Sequence, residues 1–503
     1  MATPEIGLPQ ETIVPIKKRG FWISRRNMRI TLVHPTGSNW VPGKKDVTAI
    51  ANRMAPLGLL SIAAYLEREG HEVFVLDCLG PEALGNNAAH VRNILQKDPH
   101  MVGFSATTSG FLDGYDLAVR IKALRPHVKT VFGGVHISAL GSTLLNGYEA
   151  IDYLCLGEGE ATLAELASGQ APARINGLAW RDGAQAVLNP PRPQIPDLDD
   201  LPFPAYEKLK GFPKGYNLPL FSYIHTPGAT MVTSRGCPYQ CSFCDRSVFS
   251  RGYRYNSAAY IYAHAAYLKR RFGVRHLNIY DDLFTAQRKR IADFCSLLIS
   301  KPLGMQFNCA VRVGHCDDEL LVMLKAAGFL QLSLGIETGD ENQLAVHKPG
   351  VHLEGVRDTV RRIQARGLRA KGLFMMGLPG ETVESIQKTT EFALSLGLDD
   401  MNMSKFTPFH GAPLWGSIRE MGVLDEDWRK MNCLNFVFIP KSIDSKEVLE
   451  QLYNQHVKRF YTAPAWRRRF RSRLWEHRRS LTYFLRHLPS FLSAKRNFEP
   501  ERS

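Results

Sequence analysis

Three cysteines fall within eight residues of the stretch TSRGCPYQCSFCDRS (233–247): Cys237, Cys241 and Cys244, in C-x3-C-x2-C spacing. Structural zinc takes four protein donors in a closed tetrahedron, so a trio of thiolates leaves one position open. Three thiolates suit three irons of a [4Fe–4S] cube, with the fourth iron exposed to a small chelating ligand. The zinc alternative needs a fourth donor, such as His225 or Asp245. The chain has nine cysteines. An odd number, with three crowded together, argues for metal chemistry in a reducing compartment and against a disulfide framework. The other six, Cys78, Cys155, Cys295, Cys309, Cys316 and Cys433, read as small buried apolar groups.

Further polar groups follow at intervals. YDDLF carries Asp281 and Asp282, CAVRV carries Arg312, LGIETGDENQL carries Glu337, and GLFMMGLPGET carries Gly377. Each lies where a β-branched or apolar run gives way to polar residues. The runs ATMVTSRGC, RHLNIYDDLF, MQFNCAVRV, QLSLGIETG, RAKGLFMMGLPGE and DDMNMSKFTPFHG alternate with helical patterns, which predicts six strands of a partial parallel barrel. In such a fold the chemistry gathers at the C-terminal ends of the strands, where these residues fall. Singly, each has a bland reading: Gly377 with Pro379 and Gly380 as a turn, the acids as helix caps or solvent-facing groups.

An earlier strand–helix series, MRITLVHP, HEVFVLDC, HMVGFSATT, VKTVFGGVHIS and IDYLCLGEG, predicts a doubly wound, Rossmann-like α/β sheet over 28–170. Its ligand would sit at the carboxyl ends of its strands. The Pro-rich 171–228 reads as a linker, 229–420 as the barrel, and 421–503 as a helical basic C-terminal segment.

The cysteine spacing, with Phe243 before its last member, resembles the radical S-adenosylmethionine (SAM) enzymes, in which SAM chelates the open iron through its amine and carboxylate. The order of the later segments extends that resemblance over 28–440. It implies that Asp281 or Asp282 holds the SAM amine, although the Gly-Gly-Glu common in the family is absent here. It also implies that Arg312 meets the SAM carboxylate, that Glu337 meets the ribose or another polar group, and that the Gly377 segment cradles the adenine. A doubly wound sheet ahead of such a barrel is similar to the cobalamin-binding radical SAM enzymes, which include hopanoid methylases and the anaerobic magnesium-protoporphyrin ester cyclase. That likeness implies a cobalamin pocket lined by Ser105, Thr107, His136 and Ser138, with Gly133 and Gly134 letting the nucleotide tail approach the backbone. The alternative is a sheet with no ligand or with another nucleotide. DPHMVG (98–103) matches a cobalt-ligating Asp-x-His-x-x-Gly signature, but His100 falls at the amino end of its strand, the wrong edge, and is expected to take no part.

The formal charge of +15 would suit a nucleic-acid binder if it were spread over the chain. It is concentrated at the two ends. Residues 466–496 hold ten Lys or Arg against Glu476, and 1–29 hold six against Glu5 and Glu11, so the body is nearly neutral. The C-terminal cations alternate with Trp466, Phe470, Leu474, Trp475, Leu481, Tyr483, Phe484, Leu485, Phe491 and Leu492. Three readings follow: peripheral attachment to an anionic membrane, an amphipathic helix packed on the barrel, and, least expected, nucleic-acid binding. No apolar run of transmembrane length and no signal peptide are present, which predicts a cytoplasmic protein, at most held at the inner membrane surface. The resemblance implies a C-methyltransferase acting on an unactivated carbon, fed electrons by a flavodoxin or ferredoxin, and the tail, read as a membrane attachment, adds an apolar small-molecule substrate of lipid, hopanoid or tetrapyrrole-like kind. The alternatives are oxidative ring closure with the same cofactors and RNA modification.

Overall fold

In a computed structural model the described residues are 27–37, 53–81, 86–216, 218–250, 252–486 and 488. The first sheet has seven strands in the order β2-β1-β3-β4-β5-β6-β7. They are β1 Arg29–His34, β2 Glu72–Asp77, β3 Met101–Ser105, β4 Lys129–Gly133, β5 Tyr153–Cys155, β6 Leu178–Asp182 and β7 Gln185–Leu188. The first five are parallel. Their continuous apolar runs follow from burial on both faces: Ile30, Leu32 and Val33 of β1 and Val102 and Phe104 of β3 are inaccessible to solvent or nearly so. The last two strands run antiparallel and lie inside the stretch expected to be a linker. Their alternating pattern is short and half-exposed, as an edge hairpin permits, so it carries little periodic signal.

The second sheet contains β8 Gly228–Met231, then β11 His276–Ile279, β12 Gln306–Val311, β13 Phe329–Glu337, β14 Arg369–Met376 and β15 Asp400–Lys405, all parallel, in the order β15-β14-β13-β12-β11-β8. Between β8 and β11, β9 Ser234–Arg235 pairs antiparallel with β10 Arg254–Tyr255. That hairpin closes the base of the cysteine loop. Gly236 opens the loop at φ +84°, and a Cβ there would overlap the Gly252 carbonyl.

The C-terminal segment packs on the barrel, and on a definite end of it. Trp466 donates its indole N–H to the Asp399 carbonyl at 3.0 Å and stacks on Phe470 at 4.9 Å. Phe470 in turn meets Phe221, while Arg469 bonds the Gly397 carbonyl, Arg473 pairs with Asp399 and Glu476 with Arg369. Gly397, Asp399 and Arg369 lie at the amino ends of β14 and β15. The tail therefore covers the barrel end opposite the cysteine loop. An amphipathic pattern does not reveal which end of a barrel it covers, so this placement is not legible in the sequence. Phe491, Leu492 and most of the N-terminal cations lie outside the described residues. No helix among the described residues is long and apolar enough to cross a membrane.

Trp466→Ala should therefore destabilise the chain by about 2 kcal/mol or more, because it removes a ring packed on two aromatic neighbours. Arg467→Ala and Arg468→Ala, both exposed, should leave the melting midpoint within measurement error of wild type. Differential scanning fluorimetry distinguishes the two cases.

Candidate functional site

Cys237, Cys241 and Cys244 sit on one loop at the carboxyl end of the barrel sheet, as free thiols. Burial pushes the Cys244 thiol up to about 12, and the charges of Cys241, Asp282 and Cys237 add to the shift. The Cys237 thiol is raised for similar reasons. Three thiols on one short loop need a cationic centre to hold them together as thiolates, which is the chemistry of an iron–sulfur ligand set. Two guanidinium groups attend them: Arg312 Nη1 lies 4.0 Å from Cys241 Sγ, and Arg246 bonds the Tyr239 carbonyl at 2.6 Å.

Neither donor named for the zinc alternative is available to it. Asp245 is committed within the loop, accepting from Ser247 N at 2.8 Å, Ser247 Oγ at 2.5 Å and Gly411 N at 3.2 Å. His225 lies among Arg275, Arg478 and Arg479 at the opposite end of the barrel. Among the described residues no three His, Cys, Asp or Glu side chains converge as a single metal ion requires. A cube takes each thiolate on a separate iron, and three thiols on one loop are the donor set it needs.

The two neighbouring aspartates part company. Asp281 is wholly buried and accepts from Thr233 N at 2.5 Å, Thr233 Oγ1 at 2.5 Å and Ser234 Oγ at 2.7 Å, with Arg290 at 3.4 Å. Its oxygens are used in tying β11 to the start of β9. Asp282 accepts only from Gly236 N, at 3.1 Å, and burial holds its pKa above the ordinary carboxylate range. It faces the cysteine loop. Glu337 ends β13 at φ +69°, where the ladder shifts register between Gly335 and Glu337. Its Oε1 accepts from Lys348 Nζ at 2.7 Å. Arg312 stacks on the Tyr239 ring at 3.6 Å and donates to the Pro349 carbonyl at 3.0 Å, so its fork is half engaged. The Gly377 and Leu378 amides donate to Glu381 Oε2 at 2.6 and 3.1 Å. Burial raises that carboxyl to about 8, and its Oε1 has no partner.

Ser105, Gly133 and Gly134 line a cavity of about 350 Å³ between the first sheet, with its helix Leu57–Arg68, and barrel residues that include Ser234, Arg235, Phe249 and Asp282. Ser105 and Thr107 also line two further cavities, of about 340 and 650 Å³, the larger bounded across the gap by Phe243, Cys244 and Asp245. Gly134 has φ +105°, and a Cβ on it would lie 2.8 Å from the Ala106 carbonyl. The close approach that demands glycine there is that of the neighbouring strand's own backbone, not only of a ligand. His136 and Ser138, expected among the pocket residues, line none of the three cavities. The short helix Val135–Leu140 turns both away: His136 Nδ1 lies 3.3 Å from Thr108 Oγ1 in an aromatic cluster with Phe111, Trp428 and His410, and Ser138 Oγ accepts from Gly157 N at 3.0 Å. Burial drives the His136 ring down to about 3. His100 lies at the amino edge, where its Nδ1 accepts from Arg29 N at 3.0 Å.

What joins the halves was not read from the sequence. Arg235, two residues before Cys237, reaches Glu158 Oε1 and Glu160 Oε1 of the first domain, each at 2.6 Å. Arg254 closes on Glu158 at 3.0 Å, and Ser61 donates to Glu160 at 2.8 Å. Burial opposes the Glu160 carboxylate, yet the Arg235 charge and hydrogen bond outweigh it and bring its pKa below the ordinary value. The alternating acids of LGEGE and the arginine of TSRGC were visible; their pairing was not. Ser247 Oγ also donates to the Val135 carbonyl at 3.2 Å, a direct tie from cysteine loop to strand edge.

Comparison with known proteins agrees with this architecture. Residues 231–393 match the radical SAM superfamily and residues 43–167 the B12 binding domain. An uncharacterized methyltransferase of Pyrococcus horikoshii is 29% identical over 443 residues, covering 87% of this chain and 93% of the relative. The anaerobic magnesium-protoporphyrin IX monomethyl ester cyclase of Rubrivivax gelatinosus is 27% identical, with 87% and 78% covered. The hopanoid C-3 methylase of Methylococcus capsulatus is 25% identical, with 77% and 72% covered. Among solved structures, the cobalamin-dependent SAM radical enzyme OxsB superposes with a TM-score of 0.68 at 16% identity, covering 91% of this chain and 72% of its own, and the methyltransferase TsrM from Kitasatospora setae with 0.63 at 20%, covering 78% and 75%. The chain thus pairs a B12 binding domain with a radical SAM domain and is similar to the cobalamin-binding radical SAM enzymes.

Arg235→Met should cost about 3–5 kcal/mol, since it strands the buried Glu160 carboxylate and leaves Glu158 with Arg254 as its remaining cation. The Glu160 pKa is depressed by folding, so the stabilisation is present above the ordinary carboxylate range and fades as pH falls through the lowered value. The gap in melting midpoint between wild type and Arg235→Met should be widest near neutrality and narrow in acid. A gap independent of pH would contradict the ion-pair account.

Proposed function

We propose that this enzyme is a cobalamin-dependent radical SAM C-methyltransferase acting on an apolar small molecule. The observation that carries the reading is the 650 Å³ cavity, walled on one side by strand-end residues of the B12-binding domain and on the other by Cys244 of the cysteine loop. A substrate carbon held there stands between the two cofactor sites. Methyltransferases recur among the relatives, including the Pyrococcus protein and the hopanoid methylase. When bound, the cluster with SAM supplies an oxidant able to take hydrogen from an unactivated carbon, and cobalamin supplies a methyl carrier.

The chain's own work is to bind, orient and keep out water. Cys237, Cys241 and Cys244 hold the cluster. Asp282, whose oxygens are less committed than those of Asp281, takes the SAM amine. Glu337 offers its remaining oxygen to the ribose, and the turn at Gly377, tied down by Glu381, receives the adenine edge. Arg312, positioned by Tyr239 and Pro349, keeps positive charge beside Cys241 and the SAM carboxylate. Ser105, Thr107, Gly133 and Gly134 line the cobalamin pocket. The apolar character of the substrate is supported by Met375, Phe406, Phe409 and Met431, which line the cavity beside the polar Thr407 and Asn432. A low-potential reductant of the flavodoxin or ferredoxin type supplies the electron. At the closed end of the barrel, exposed Trp475 with Arg467, Arg468 and Arg471 supports peripheral attachment to an anionic lipid face, away from the cavity.

Two outcomes follow. Replacing all three loop cysteines with Ala should abolish iron and sulfide incorporation in anaerobically reconstituted protein, measured by metal analysis and absorbance, while cobalt binding persists. With SAM carrying a deuterated methyl group, turnover should yield S-adenosylhomocysteine beside 5′-deoxyadenosine, and a labelled carbon in the product. A product that gains no carbon and loses hydrogen to form a ring would instead assign the cyclase chemistry named for the Rubrivivax relative.

A further inference from the structure

His34 has no part in the chemistry above, yet it is presented as a metal ligand would be. It ends β1 at the carboxyl edge of the first sheet and lines the 340 and 650 Å³ cavities but not the 350 Å³ one. Its ring is about a quarter exposed. On the other side its Nδ1 lies 2.9 Å from Asp77 Oδ1. Asp77 is its register partner on the parallel strand β2, and its side chain is 3% exposed. That carboxylate also accepts from the Tyr216 hydroxyl at 3.0 Å and from Leu79 N at 3.1 Å. With Asp77 Oδ1 as acceptor, the hydrogen bond is made by an Nδ1–H, the tautomer that leaves the Nε2 lone pair available. A carboxylate behind an imidazole fixes its tautomer, locks its orientation and raises the basicity of the outer nitrogen, which is how proteins prepare histidine for a metal.

Two other histidines of the first domain are placed elsewhere. His136 is buried on Thr108, and His100 is engaged at the opposite edge. We propose that His34 Nε2 is the protein ligand to the cobalt of bound cobalamin, with Asp77 and Tyr216 as its orienting chain. This rests on the cobalamin reading of the preceding section. Ser105, which lines all three cavities, marks the route by which one ligand runs from the 350 Å³ pocket past His34 toward the cysteine loop.

Electron paramagnetic resonance of the holoenzyme in the cob(II)alamin state tests the assignment. Each cobalt line should be split into a triplet by one axial nitrogen, and the triplet should become a doublet in protein grown on nitrogen-15 histidine. His34→Ala should lose the splitting while retaining cobalt by elemental analysis. Asp77→Asn should weaken cobalamin affinity by roughly ten- to a hundredfold in titration, the usual effect of removing a ligand's orienting partner. A wild-type spectrum without nitrogen splitting, or a triplet indifferent to the isotope, overturns the assignment and leaves the cobalamin reading standing. Protein that takes up no cobalamin overturns both. The labelling arm uses the unaltered chain, so a misfolded variant cannot obscure the result.

Discussion

The buried ion cluster of Arg235, Glu158, Glu160 and Arg254 is the constraint on which the rest of the site depends. Arg235 belongs to the short hairpin that closes the cysteine loop, and its carboxylate partners follow the last parallel strand of the first sheet. One guanidinium therefore ties the start of the cysteine loop to the strand ends of the first sheet. Desolvating four charges is costly, and a hydrophobic contact of the same size would be as stable. A hydrophobic contact would also slide. Paired oxygens and nitrogens at 2.6 Å do not, and chemistry between two cofactors requires a defined separation.

The same logic of fixed backbone runs through the barrel mouth. Asp281 is used up in holding Thr233 and Ser234, which sets the start of the loop that Asp282 then faces. Glu381 ties the Gly377–Leu378 turn from beneath, as a carboxyl that burial keeps largely protonated near neutrality. In each pair of acidic roles, one group maintains geometry and another is left with capacity for a ligand. The separation comes from burial and from the number of donors that each carboxyl meets.

Charge at the C-terminus does different work. Arg469, Arg473 and Glu476 bond groups at the amino ends of β14 and β15, while Arg467, Arg468 and Arg471 point outward. A tail that looks uniformly basic in the sequence is thus divided into cations that hold the barrel's closed end and cations that face solvent. Helical spacing alone could not assign them, because both sets share the same few turns.

The sequence by itself determined the fold class, the parallel strands of the two sheets and the spacing of the cysteine trio. Those features are local: continuous apolar strands, turn signals and a three-thiol spacing are complete within a few residues of one another. It also placed His100 correctly, since the position of a residue along its strand decides which edge it reaches. Tertiary structure decided what depends on distant partners. It turned His136 and Ser138 away from the pocket, because a glycine at φ +105° starts a helix whose face the chain pattern does not specify. It added β6 and β7 to the first sheet, where edge strands carry too weak a period to be read. It separated Asp281 from Asp282, adjacent in sequence and opposite in surroundings. It also brought His34 to Asp77 and Arg235 to Glu160, pairs separated by 43 and 75 residues, because side chains far apart in the chain acquire their chemistry only where packing excludes water and leaves them each other.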